Sequence, residues 1–309
     1  MMTLKMKTQT KWRWGHAVYL FLGGLGAAAY VIGVICDLTG TAVNSPAWIG
    51  MAKIGIFSGF ICVVVGMLVL FLDLGKPLNA FHAWKRPGTS WISRGFIILM
   101  IFMILAAINI GFWIWPFGSV LAKSTGPRFF IEILGLIFAF GVMTYTGFLL
   151  SANRSIAAWS TPIMPPIFLI SALFTGTLLV QFFSGFMVSN ADQPLKCLGY
   201  TALILGVIQI LHLGFYLQGN HRTTEAREST MVLLKGEASA LFWVGVVIIG
   251  LVIPIVLELA AVLGTGVGFY PIAGIAGLLG GLFLRQAILA SGIIAPLRAA
   301  RFVYMLPNT

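Results

Sequence analysis

Apolar residues in this chain gather into long runs instead of alternating with polar ones. Eight runs carry few charges: Tyr19–Asp37, Met51–Asp73, Phe96–Trp115, Phe129–Leu150, Ile167–Ser189, Leu198–Leu217, Ala240–Leu263 and Pro271–Ser291. A bilayer's hydrocarbon core is about 30 Å thick, and a helix needs about 20 residues to cross it, so each run predicts a transmembrane helix. The longest connections between them, Leu74–Gly95 and Gly219–Ser239, are too short to bury a core of their own. The second balances acids against bases and reads as a solvated connector. The expected fold is an all-α integral membrane protein of about eight transmembrane helices. It divides into two four-helix bundles: residues 1–160, with the loop 74–95, and residues 161–309, together one membrane domain. An even number of spans puts both termini on one side, called side A here.

Composition agrees with this pattern. Hydrophobic residues make up 59% of the 309 and charged residues only 9%, against roughly 25% charged in soluble domains. A formal charge of +11 would suit nucleic acid, but no water-facing domain exists to present it, and no nucleic-acid partner is expected. The charge reads better as topology. Fourteen Lys and Arg fall on side A (Lys5, Lys7, Lys11, Arg13, Lys76, Lys85, Arg86, Arg94, Arg154, Arg222, Arg227, Lys235, Arg298 and Arg301), against four on side B (Lys53, Lys123, Arg128 and Lys196). Basic residues are retained on the cytoplasmic face, so both termini are expected there, in the cell's inner (cytoplasmic) membrane. The first run holds Gly23, Gly24, Gly26 and Ala27–Ala29 and no cleavage site. It reads as a retained helix whose small residues admit a close neighbour.

The helix order collects polar residues at side A. His16 and Tyr19 stand at the start of the first helix, Asp73 and Lys76 at the end of the second, Ser93 and Arg94 at the start of the third. Thr144, Tyr145, Thr146, Ser151 and Asn153 stand at the end of the fourth. An acid placed there needs neutralising, and Lys76 and Arg94 stand beside it at the same side-A helix ends. The set suits a lipophilic carrier with a polar, protonatable head: apolar walls take the tail, while a histidine and a tyrosine hydrogen-bond the head and exchange protons. On side B, Asp37 and Glu132 lie at helix ends and Asn109 a turn or two inside, the residues of a proton path toward that pocket. Glu258 and Arg285 lie at different depths on adjacent helices, which argues against a pair. Of His16, His82, His212 and His221 only His212 lies well inside a span, so no haem is expected. Cys36, Cys62 and Cys197 are scattered and form no CxxC, so no iron–sulfur cluster or other metal site is expected in this chain.

Four motifs stand in order at these helix ends: YLFLGGLGAAAY at Tyr19–Tyr30, DLGKP at Asp73–Pro77, SWISRG at Ser90–Gly95 and YTGFLLSA at Tyr145–Ala152. Together they resemble the NrfD/PsrC family, the membrane-anchor subunits of polysulfide reductase and related oxidoreductases. The resemblance covers roughly residues 12–160. It implies a haem-free, quinone-interacting subunit, not catalytic alone. Its partners would be a four-cluster, ferredoxin-like iron–sulfur subunit and a molybdopterin or multihaem catalytic subunit, with membrane lipid around the helices. It also implies an exchangeable menaquinone or ubiquinone, its head near His16 and Tyr145, with Asp73 and Arg94 close by; Tyr19 joins the quinone-binding candidates from its place at the start of the first helix. In several complexes that this resembles, the partner-docking face is exported, whereas the charge bias here places it in the cytoplasm. Two other classes share the composition. A secondary transporter should show inverted repeats and broken helices, which the sequence does not display beyond an isolated Pro254. A structural anchor would dock a partner without binding quinone.

Overall fold

The computed structural model describes residues 8–10, 12, 14–73, 88, 90–114, 125–264, 266, 268–294, 297–299 and 302–304. Lys76, His82, Lys123 and most of the loop 74–95 lie outside the described residues. Every apolar run forms a helix: α1 (Trp14–Val43), α2 (Pro46–Asp73), α3 (Trp91–Gly111), α4 (Thr125–Ser151), α5 (Met164–Met187), α6 (Asp192–Gly219), then, after a short α7 (Thr224–Lys235), α8 (Leu241–Val262) and α9 (Phe269–Ala290). All but α7 are long and apolar enough to cross a membrane. Most extend beyond the apolar run that announces them. The 30 residues of α1 span about 45 Å at 1.5 Å per residue, so its ends reach the interfacial layers, where polar residues cost nothing.

α1 and α5 form the centre. In each, 72% of the spanning window is buried, against 28% in α2 and 33% in α6. α1 packs on α2, α4, α5 and α9, while α5 also packs on α4, α6 and α9. Lipid tails give no hydrophobic drive between helices, so close association rests on small residues. At the α1–α2 crossing Gly26 lies so near the Gly59 carbonyl that a methyl group on it would overlap that oxygen. A side chain there would push the two backbones apart.

α8 changes winding along its length. Leu241–Val252 is π-helical, the Ile253 N–H reaching the Ile248 carbonyl five residues back, and Ile253–Val262 is α-helical. Pro254 sits at the junction, where it brings no N–H to either pattern.

The connector Gly219–Ser239, expected as a solvated link, is partly folded onto the bundle instead. The Thr223 hydroxyl caps α7 by accepting from Ala226 N–H at 3.2 Å. Ala226, Ser229, Thr230 and Leu233 are buried, and Ser229 Oγ accepts from Ile293 N–H at 3.2 Å. The chain ends meet at side A. Thr8 bridges Ile293, Gln9 N–H donates to the Gly292 carbonyl at 2.8 Å, and β1 (Leu297–Ala299) pairs antiparallel with β2 (Phe302–Tyr304).

Candidate quinone pocket and the buried polar cluster

The up-and-down order of α1–α4 brings four helix ends together at side A. His16, in the first turn of α1, meets Asp73, the last residue of α2: Nδ1 lies 2.8 Å from Oδ2, and the two side chains remain 30% and 35% exposed. Trp12 packs on the His16 ring at 5.1 Å and edge-on against Trp159 at 5.7 Å. One turn deeper, Tyr19 and buried Tyr145 of α4 line one narrow cavity, their hydroxyls next to each other. Its other walls are Gly23 of α1, Val63, Gly66, Met67 and Leu70 of α2, and Leu99 of α3. Apolar walls around two phenols make a hydrogen-bonding slot inside a hydrophobic pocket, the general form of a small-molecule site.

Gly95 places Tyr145. A methyl group on Gly95 would run into the Tyr145 ring at Cδ2 and Cε2, so the phenol lies flat against the α3 backbone only because that position has no side chain. Its role was not read from the sequence, although it closes the SWISRG motif. Gly23, on the opposite wall, has nothing within 4 Å of where its Cβ would stand.

His16, Tyr19, Asp73 and Tyr145 therefore gather at one end. The described partner of Asp73 is His16, and the described contacts of Arg94 lie to one side of this group. Its guanidinium covers the Trp91 ring at 4.8 Å and donates to the Gly88 carbonyl at 2.7 Å. Trp91 in turn stacks on Phe148 of α4 at 4.8 Å. The helical period explains this: Trp91 and Arg94 are three residues apart on one face of α3, and that face turns to the outer α3–α4 seam. Thr144, Thr146 and Ser151 donate to carbonyls of their own helix, so Tyr145 is the polar group of this segment that lines the cavity.

At side B the three candidate proton-path residues are gathered around a fourth, Arg128, that was not among them. Asp37, Asn109 and Glu132 are fully buried. Arg128 lies 3.0 Å from Asp37 and 3.8 Å from Glu132, an i,i+4 spacing on α4 that was available in the sequence. Asn109 Nδ2 donates to the Tyr30 hydroxyl at 3.0 Å. Tyr30 stands 11 residues from Tyr19 along α1, about 16 Å. The core between the two is apolar, with Val63, Leu99 and Phe102 packed together and Phe102 edge-on to Tyr30 at 5.2 Å.

A family model described as "Polysulphide reductase, NrfD" matches residues 3–296. The chain belongs to the NrfD family. The C component of polysulfide reductase from Wolinella succinogenes is 31% identical over 307 residues, covering 91% of this chain and 94% of that protein. Protein NrfD of Escherichia coli is 25% identical, covering 91% and 94%. The C component of selenate reductase from Mesobacillus selenatarsenatis is 25% identical, covering 95% and 77%. The family match extends well past the four N-terminal motifs into the second half. This NrfD-family chain is a multi-pass membrane protein, and these relatives carry the names of C components of polysulfide and selenate reductases.

Proposed function

We propose that this NrfD-family chain is the quinone- or quinol-interacting membrane subunit of a multi-subunit oxidoreductase and exchanges electrons with an iron–sulfur partner docked at side A. The observation that carries this reading is the apolar-walled cavity with two phenols, Tyr19 and Tyr145, one turn beneath the half-exposed His16–Asp73 pair. The residues fit the head of a menaquinone or ubiquinone. Tyr19 and Tyr145 offer hydroxyl donors to its ring oxygens, and Val63, Met67, Leu70 and Leu99 make the walls apolar. The cavity is narrow, so the ring enters by displacing side chains of its walls while the tail lies among the lipid-facing side chains.

Bound there, the quinone supplies the redox chemistry, two electrons with two protons. The chain's part is position and protons. Tyr145 and Tyr19 orient the head through hydrogen bonds. Asp73 holds His16 by Nδ1 and leaves its other ring nitrogen to carry a proton between the pocket and side-A water. Arg94, whose guanidinium covers Trp91 near the start of α3, adds positive charge at the pocket's end of the bundle. Asp37, Asn109 and Glu132 form the side-B mouth of a proton path that must cross the Val63–Leu99–Phe102 layer. Side A is cytoplasmic in this reading, from the charge bias. The partner complex includes a catalytic subunit, molybdopterin or multihaem in type.

Tyr145→Phe and His16→Ala test the reading directly. Each impairs quinol-linked turnover while the complex still assembles; unchanged turnover in both removes these residues from the site.

A further inference from the structure

A buried acid in the second half plays no part in the pocket above. Glu258, near the side-B end of α8, is fully buried. Gln181 of α5 donates through Nε2 to Glu258 Oε2 at 3.1 Å and to the Leu195 carbonyl at 3.4 Å. That use of both amide hydrogens fixes the side chain and leaves its Oε1 without a donor. The Tyr270 ring of α9 closes the group: a Cβ on Gly199 of α6 would lie 3.1 Å from Glu258 Oε2 and 3.4 Å from Tyr270 Cε1. Four buried oxygens have no partner there, namely Glu258 Oε1, Gln181 Oε1, the Tyr270 hydroxyl and Ser184 Oγ, one turn beyond Gln181.

No Lys, Arg or His lies within ion-pair distance of Glu258 among the described residues. The neighbours of Tyr270 are Asp192, Cys197 and Tyr200, none of them basic, and Lys196 points from the exposed face of α6. Arg285 stands 15 residues from Tyr270 along α9, about 22 Å away, held by the Ser171 hydroxyl and the Phe168 carbonyl. The contrast with Asp37 and Glu132, which share Arg128, is complete. A buried carboxylate requires a compensating charge, and here no side chain brings one. Hard oxygen donors select a hard cation. One carboxylate among neutral oxygens balances a single positive charge, whereas a divalent ion would leave net charge in the membrane.

We propose that Glu258, Gln181 and Tyr270 form a monovalent-cation site, for a proton or a sodium ion, at the side-B end of the second half. Glu258 lies four residues from the end of α8, about 6 Å deep, within reach of side-B water. The site is independent of the quinone reading, because its polar contacts do not extend to α1–α4.

The test uses the full-length protein in detergent, as wild type and as Glu258→Gln, a neutral isostere. Thermal midpoints are compared in sodium chloride and choline chloride at equal ionic strength, and infrared difference spectra are recorded across pH steps. A midpoint several degrees higher in sodium, with no such rise in Glu258→Gln, establishes the site with sodium as ligand. A protonated-carboxyl band that is indifferent to sodium and vanishes in Glu258→Gln, with the variant as stable as wild type, establishes it with a proton as ligand. Absence of both signals overturns the proposal. So does a large loss of stability in Glu258→Gln in both salts, since that marks an ionised Glu258 paired with a fixed base.

Discussion

Gly95→Ala is the sharpest perturbation of the pocket that removes none of its polar groups. A methyl group on Gly95 would overlap Tyr145 Cδ2 and Cε2 and come within 3.1 Å of Cγ. The ring must tilt or α3 must move away from α4. Inserting a methyl group into a packed interior costs about 1–3 kcal/mol, so the thermal midpoint falls. Tilting the ring also moves its hydroxyl off the line to a bound head group. Losing that hydrogen bond is worth about 0.5–1.5 kcal/mol, or a roughly 2- to 13-fold weaker dissociation constant. The assay pairs thermal unfolding with titration of a quinol analogue, and Gly111→Ala is the control. Gly111 closes the far end of the same helix and has open space at its Cβ. Gly95→Ala with the midpoint and affinity of Gly111→Ala would refute the placement of Tyr145 against α3.

Other substitutions probe separate parts of the account. Gly23→Val fills open space on the cavity wall, so it weakens analogue binding while leaving the thermal midpoint near wild type; undiminished binding would show that the head sits elsewhere. Arg128→Met leaves Asp37 and Glu132 buried without their cation and destabilises by about 3–5 kcal/mol. Adding Asp37→Asn recovers part of the lost midpoint, and no recovery would contradict a shared charge balance. Ser229→Ala removes the acceptor of Ile293 N–H at a cost of about 1–3 kcal/mol, read as faster hydrogen exchange at Ile293.

The eight spans were legible because a bilayer demands some 20 apolar residues whatever the tertiary partners. The meeting of His16, Asp73 and Tyr145 followed from counting helix ends, since alternation of direction fixes which ends share a side. What escaped depends on partners distant in sequence. Gly95 carries no chemical signal, and its meaning comes from a tyrosine 50 positions away. Arg94 was grouped with Asp73 by proximity of helix ends, and helix ends alone do not reveal that its guanidinium also covers Trp91. α7 was missed because its run is short and polar, and it folds only by laying Ala226 and Leu233 on the bundle. Only the structure showed that Glu258 gathers Gln181 and Tyr270 while Arg285 turns to Ser171 and Phe168.

The most direct test of the central claim is titration of the purified complex with a quinol analogue, followed by fluorescence quenching, in wild type and in Tyr145→Phe. The account predicts saturable binding that weakens in the variant. No saturable binding to a well-folded wild-type complex would contradict it and reduce the chain to a docking anchor.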